Sequence, residues 1–255
     1  RHDHPPESYV QDVIAYYYNR AEADGRRVTV CNKHGGDFNF PEQLGLRCYE
    51  NGRDMPTDVE PWFLIDRAIA YPWSYVNNKR YRDGADYHVR SIVDVVSRGG
   101  IFLMSLTPKG DGSIPSEEQE IMRGIGRWMK VNGEAIYGTR PWKVHAEGPT
   151  VTRGIKRNAK GEEKEQWDWR KRFTAEDIRF TTKGQALYAI ALAWPTDGTL
   201  TVRSLSKDAD LRIESVSLLG YDGPLRWSQT TNGLDVTLPT EQPCDYAYAL
   251  RIMTK

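Results

Sequence analysis

The sequence predicts an α/β region with a parallel sheet, followed by an all-β antiparallel sandwich. Three features of the chain predict this. Up to Trp142, stripes of apolar residues at helical spacing alternate with short apolar runs. One of those runs, Ile101-Phe102-Leu103-Met104, is apolar without alternation, as strands covered on both faces of a parallel sheet are. Beyond Trp142 the chain holds only short strand-like runs divided by turn signals.

The first element is a helix from Glu7 to Asn19, with Val10, Val13, Ile14 and Tyr17 on one face and Gly25 beyond its end. Short strands are expected at Val28–Cys31, Leu46–Glu50 and Trp62–Asp66. Ala85–Ser97 is a strongly amphipathic helix, with Val89, Ile92, Val93 and Val96 on its apolar face and Gly99-Gly100 as its stop. The strand Ile101–Met104 follows. A further helix opens near Pro115 and Ser116, where Ser116-x-x-Gln119 matches a capping box, and its core face is Ile121, Ile125, Trp128 and Met129. Alternation of this kind means βα units, and four parallel strands are half of an eight-stranded barrel.

Gly148 to Glu165 is polar and rich in Gly, Lys and Arg, and reads as an exposed loop. Strand-like runs then occur at Leu187–Ala193, Leu200–Leu205, Arg212–Leu219, Leu234–Leu238 and Tyr246–Ile252. Thr196-Asp197-Gly198 and Asn232-Gly233 supply turns, and the pattern is that of an antiparallel sandwich. The division is therefore 1–142 and 143–255.

Composition excludes several classes. Lys plus Arg equals Asp plus Glu at 35 each, so no electrostatic pull toward nucleic acid or an anionic membrane is expected. No apolar run approaches the roughly 20 residues of a membrane span. The three cysteines, Cys31, Cys48 and Cys244, have neither zinc nor CxxC spacing and read as free thiols. Lys109-Gly110-Asp111-Gly112 is not a Walker loop, and neither a metal site nor a cofactor is expected.

Leu103 to Pro115 (LMSLTPKGDGSIP) and Ile125 to Thr139 (IGRWMKVNGEAIYGT) resemble motifs of the family-29 glycoside hydrolases, the α-L-fucosidases. Ala15–Asn19 (AYYYN), Ile92–Gly100 (IVDVVSRGG) and Phe173–Pro195 resemble others, in the same order, so the resemblance spans nearly the whole chain. It implies the second half of a (β/α)8-like barrel followed by the β-sandwich. It implies a retaining, exo-acting enzyme that releases L-fucose from glycans or glycoconjugates, in a periplasmic or secreted setting.

In that family the nucleophilic aspartate ends barrel strand 4, ahead of the AYYYN motif. Counting back from Ala15 reaches the start of this chain. Asp3 is the nearby carboxylate, but His2-Asp3-His4-Pro5-Pro6 does not resemble the family's strand end. The nucleophile is therefore expected from elsewhere, and a missing N-terminal barrel half or a homo-oligomer is expected to cover the open sheet edges. The alternative is a non-catalytic carbohydrate-binding or interaction protein derived from the family. A related glycosidase with another sugar preference is a third reading.

Retaining hydrolysis needs two carboxyl groups roughly 5–5.5 Å apart, one attacking the anomeric carbon and one acting as acid then base. Glu50 is the candidate acid/base, because it ends an apolar strand and strand C-terminal ends carry barrel chemistry. The competing reading is a surface glutamate at the turn before Gly52. By resemblance Asn51 stands where the family has arginine. By the same resemblance Lys33 takes a position where a basic residue contacts the sugar; the competing reading is a solvated loop lysine. His34 beside it is either a hydroxyl ligand or structural. Trp73 resembles the aromatic that packs on the fucose methyl group, and its alternative is a core aromatic. Trp62 and Asp66 are further candidates, within a segment (Phe63-Leu64-Ile65-Asp66) that departs from the family's usual one.

Overall fold

A computed structural model describes residues 7–33, 44–51, 55–60, 62–157, 161, 163–209 and 211–255. Asp3 and His34 lie outside the described residues. Helix α1 spans Glu7–Ala23, four residues further than the periodicity predicts. Its stripe is not a core face: Val13 is 67% exposed and Tyr17 41%.

Four strands, β1 (Cys31–Lys33), β2 (Leu46–Glu50), β3 (Phe63–Ala68) and β4 (Gly100–Ser105), form a parallel sheet in the order β1-β2-β3-β4. The first strand lies later than Val28–Cys31, because it pairs through Cys31↔Leu46 and Lys33↔Cys48. Among the described residues, helix–strand alternation is seen from β3 onward, where α2 (Ala85–Ser97) connects β3 to β4 and α3 (Ser116–Asn132) follows β4. The expected capping box at Ser116 does not form. Pro115 is the N-cap, Ser116 Oγ turns to Glu117, and Gln119 Nε2 donates instead to the Ile114 carbonyl at 2.8 Å.

The polar stretch read as a loop forms an antiparallel hairpin, β6 (Arg153–Arg157) with β7 (Glu163–Trp167). The sandwich is a five-stranded and a three-stranded sheet. The larger runs β11 (Ile213–Leu218), β14 (Tyr248–Thr254), β9 (Ala186–Ala191), β8 (Ile178–Lys183), β5 (Arg140–Glu147). The smaller runs β10 (Thr199–Val202), β13 (Leu234–Thr237), β12 (Arg226–Gln229). Strands β5, β8 and β12 escape the sequence reading of isolated runs, and Arg203–Leu205 forms a 3-10 turn rather than strand.

Strand β9 is buried at every position. One face (Leu187, Ala189, Ala191) meets Leu200, Val202, Leu234 and Val236 of the small sheet. The other (Tyr188, Ile190) joins a core with Val89 and Val93 of α2 and Ile121, Ile125 and Trp128 of α3. Full burial of each such side chain stabilises by about 1.5–3 kcal/mol. Trp128 Nε1 donates to the Ala247 carbonyl at 2.7 Å, which ties α3 to the sandwich without an unpaired indole N–H.

A second joint is ionic. Asp94 of α2 is fully buried and accepts hydrogen bonds from Arg98, Arg179 of β8 and Trp169 Nε1, the last at 2.9 Å. These cations and hydrogen bonds hold its carboxyl well below the usual carboxylate range, against the opposing effect of burial. The α/β region and the sandwich thus meet over both an apolar core and a paired buried charge.

Candidate active site

The parallel register sets the site. In-register pairing places Glu50 beside Asp66, and Lys33 ends the neighbouring strand, so three charged side chains collect at the C-terminal ends of β1, β2 and β3. Lys33 Nζ lies 3.0 Å from Asp66 Oδ2 and 3.6 Å from Glu50 Oε1. Lys33 is held above the ordinary lysine range, first by its hydrogen bond to Asp66, while burial acts in the opposite direction. The Asp66 side chain is 12% exposed and that of Glu50 45%, so Asp66 forms the floor of the cluster and Glu50 its open rim.

Backbone geometry fixes that rim. Asn51 adopts a left-handed φ of 56°, a conformation that asparagine tolerates better than most residues. Its N–H faces Asp66 and lies 3.0 Å from Oδ1 and 2.9 Å from the Asp66 carbonyl. Arg67 Nη1 donates to the Asn51 carbonyl at 3.1 Å. The Arg67 guanidinium in turn lies 5.1 Å from the ring centre of Trp169 and 5.6 Å from that of Tyr87. Trp169 is the residue whose indole N–H is fixed by Asp94, so the turn carrying Glu50 is braced from the joint with the sandwich.

At the same end of the sheet, Glu118 of α3 gathers the loops after β3 and β4. It accepts from the Thr107 N–H at 2.8 Å, from Thr107 Oγ1 and from the Tyr81 hydroxyl at 2.9 Å, and Lys79 Nζ lies 3.8 Å away. Burial, with Glu118 alongside, pushes the Tyr81 phenol up to about 12, so it remains a proton donor.

The structure brings Lys33, Glu50 and Asp66 together. Trp73, half-buried, lies in the segment that leaves the C-terminal end of β3. Trp62 is not part of the cluster. It precedes β3 with φ 67°, is 54% exposed, and has the Arg140 guanidinium 4.6 Å from its ring centre. Asp66 stands four residues further along, about 13 Å at the rise of an extended strand. Sequence reasoning missed Arg67, Trp169 and Asp94, whose partners are remote in sequence and leave no local signal.

The arrangement offers a carboxyl at the open rim, a less exposed carboxyl at the floor, and between them a cation that can donate to hydroxyls. Carboxyl chemistry at the C-terminal ends of a parallel sheet, with an antiparallel sandwich following, points to the glycoside hydrolase class. The sequence profile of the α-L-fucosidase family matches residues 4–134, and that of the α-L-fucosidase C-terminal domain matches residues 170–253. The chain belongs to the family-29 α-L-fucosidases.

Plasma alpha-L-fucosidase of Homo sapiens is 32% identical over 259 residues, which cover 94% of this chain and 47% of that protein. Alpha-L-fucosidase of Branchiostoma floridae is 31% identical over 254 residues, 94% of this chain and 48% of its own. A solved alpha-L-fucosidase superposes with a TM-score of 0.70 at 24% identity, over 96% of this chain and 48% of that one. The Thermotoga maritima alpha-fucosidase gives 0.66 at 23%, over 96% and 49%. The chain spans about half the length of the curated relatives it matches.

Proposed function

We propose that this chain is the C-terminal portion of a retaining, exo-acting α-L-fucosidase that releases L-fucose from glycans or glycoconjugates in a periplasmic or secreted setting. The carrying observation is the Lys33–Glu50–Asp66 cluster at the strand ends. Glu50 is the acid/base. It protonates the leaving oxygen, then takes a proton from the water that opens the glycosyl-enzyme ester. Lys33, His34 and Asp66 bind sugar hydroxyls, and Trp73 packs on the C6 methyl group.

Residues 1–142 are read as the second half of a (β/α)8-like barrel and 143–255 as the sandwich, in keeping with the change from parallel to antiparallel pairing after β4. The nucleophile then comes from an N-terminal barrel half or from a second copy. Several apolar groups await such a cover. Ile101 and Leu103 on edge strand β4 are 43% and 53% exposed. Beside them lies a recess of about 500 Å³ lined by Ile92, Val96, Phe102, Ile125 and Met129.

The test measures release of 4-nitrophenol from its α-L-fucoside by this chain, alone and with the polypeptide encoded upstream of Arg1. Hydrolysis is expected with the upstream half present, and Glu50→Gln lowers it by about 10²–10⁴-fold. Full activity in Glu50→Gln refutes the acid/base assignment. A stable 29.2 kDa monomer in size exclusion refutes the need for a cover.

A further inference from the structure

The sandwich carries a second depression, of about 940 Å³, where the rims of its two sheets meet, and it shares no lining residue with the Glu50 cluster. That volume lies in the range of small-ligand sites, about 300–1,000 Å³. Trp194 lines it. The indole is half-buried, and its ring centre lies 4.7 Å from that of Tyr248 in a near-perpendicular arrangement (69°). Tyr248 is fixed in turn by donating to Gln242 Oε1 at 2.6 Å. The indole is thus a rigid platform, which loses little entropy when a ligand covers it.

Polar groups surround that platform. Asp235 accepts from Thr201 Oγ1 through Oδ1 at 2.7 Å, and its other oxygen has no partner among the described residues. Arg203 and Glu176 pair at 2.9 Å, with both side chains more than half exposed. Such a pair keeps donors and acceptors available to a ligand at little cost in stability.

The lining also settles what class of ligand suits it. Arg172 and Arg203 face Glu176, Asp197 and Asp235, so the wall is close to balanced and slightly negative. A phosphate or sulfate would meet three carboxylates against two guanidiniums, and an apolar segment would desolvate five charges of which only Arg203 and Glu176 pair with each other. A neutral polyhydroxylated ligand satisfies both features, with its C–H face on the indole and its hydroxyls on Asp235, Arg203 and Glu176. We propose that this depression is a carbohydrate-binding site for neutral oligosaccharides, separate from the Glu50 cluster and independent of its role.

The experiment titrates lacto-N-tetraose, a neutral tetrasaccharide, into the 255-residue chain together with the polypeptide encoded upstream of Arg1 and follows the Trp194 indole N–H by NMR. A saturable shift is expected, and Asp235→Asn and Arg203→Gln each raise Kd about tenfold, the size of one lost hydrogen bond to a charged group. Both variants keep the fold, since the amide introduced by Asp235→Asn retains an acceptor for Thr201 and the Arg203–Glu176 pair is solvated. Glu50→Gln leaves this Kd unchanged. Absence of a saturable shift overturns the proposal. So does wild-type affinity in both sandwich variants, loss of the shift in Glu50→Gln, or saturation of the same resonance by inorganic phosphate but not by the tetrasaccharide.

Discussion

Replacing Asp94 with asparagine keeps the shape of the joint between the two regions and removes its charge. In the wild type the fully buried carboxylate faces two guanidiniums, Arg98 at 3.1 Å and Arg179, and also accepts from Trp169 at 2.9 Å. Removing one partner of a buried ion pair leaves uncompensated charge and costs about 3–5 kcal/mol. Unfolding entropy for 255 residues is about 0.5 kcal/mol/K, so Tm falls by about 6–9 °C. The pH dependence has a defined sign. The folded-state pKa of Asp94 is depressed, so its contribution is complete above the unfolded value near 4 and is lost as pH falls below that. Calorimetric melts of both proteins between pH 3 and 8 test this. The gap in Tm is constant from pH 5 to 8 and narrows in acid. A gap under about 2 °C at pH 7, or one that widens in acid, refutes the reasoning. Because Trp169 supports Arg67, and Arg67 holds the Asn51 carbonyl, the variant also loosens the turn that carries Glu50.

His88 is buried, and that burial pushes its pKa down to about 4 from an ordinary 6.5. Protonation therefore favours the unfolded chain, so stability is full above pH 6.5 and declines by about 3 kcal/mol on acidification through pH 4. Urea unfolding at pH 7 and pH 5 should differ by about 2 kcal/mol on this account alone, and the same difference persisting in His88→Phe contradicts it. Gly100→Ala brings a Cβ to 2.5 Å from the Phe63 ring and 2.7 Å from Val95 Cγ1, between sheet and helix. It should lower stability by about 1–3 kcal/mol. Gly126→Ala, on the exposed face of α3 with nothing within 4 Å, should instead raise it by about 0.5–1 kcal/mol. Equal urea midpoints for the two variants would dispose of this packing argument.

Much of the architecture is legible along the chain because burial of local elements leaves a period. The stripe Val89, Ile92, Val93, Val96 marks α2, and the unbroken run Ile101–Met104 falls within β4. Glu50 sits at a strand end in the sequence reading and in the fold alike. Periodicity fails where the neighbour is distant. The stripe on α1 predicts a buried face of which no residue is buried, because a pattern records that a face is apolar and not what covers it. The hairpin of β6 and β7 is polar on both strands and leaves no apolar period.

By itself, then, the sequence determined the order of helices and strands, the passage from α/β to all-β, the family and the strand ends where carboxylates stand. Only the tertiary structure decided that Lys33 bridges Glu50 and Asp66, that Trp62 stands at the other end of β3, and that Asp94 joins Trp169 and Arg179. The reason is physical. An amphipathic period reports the environment of a residue's near neighbours, whereas a charge buried against partners 75 and 85 residues away is fixed only when the chain closes on itself.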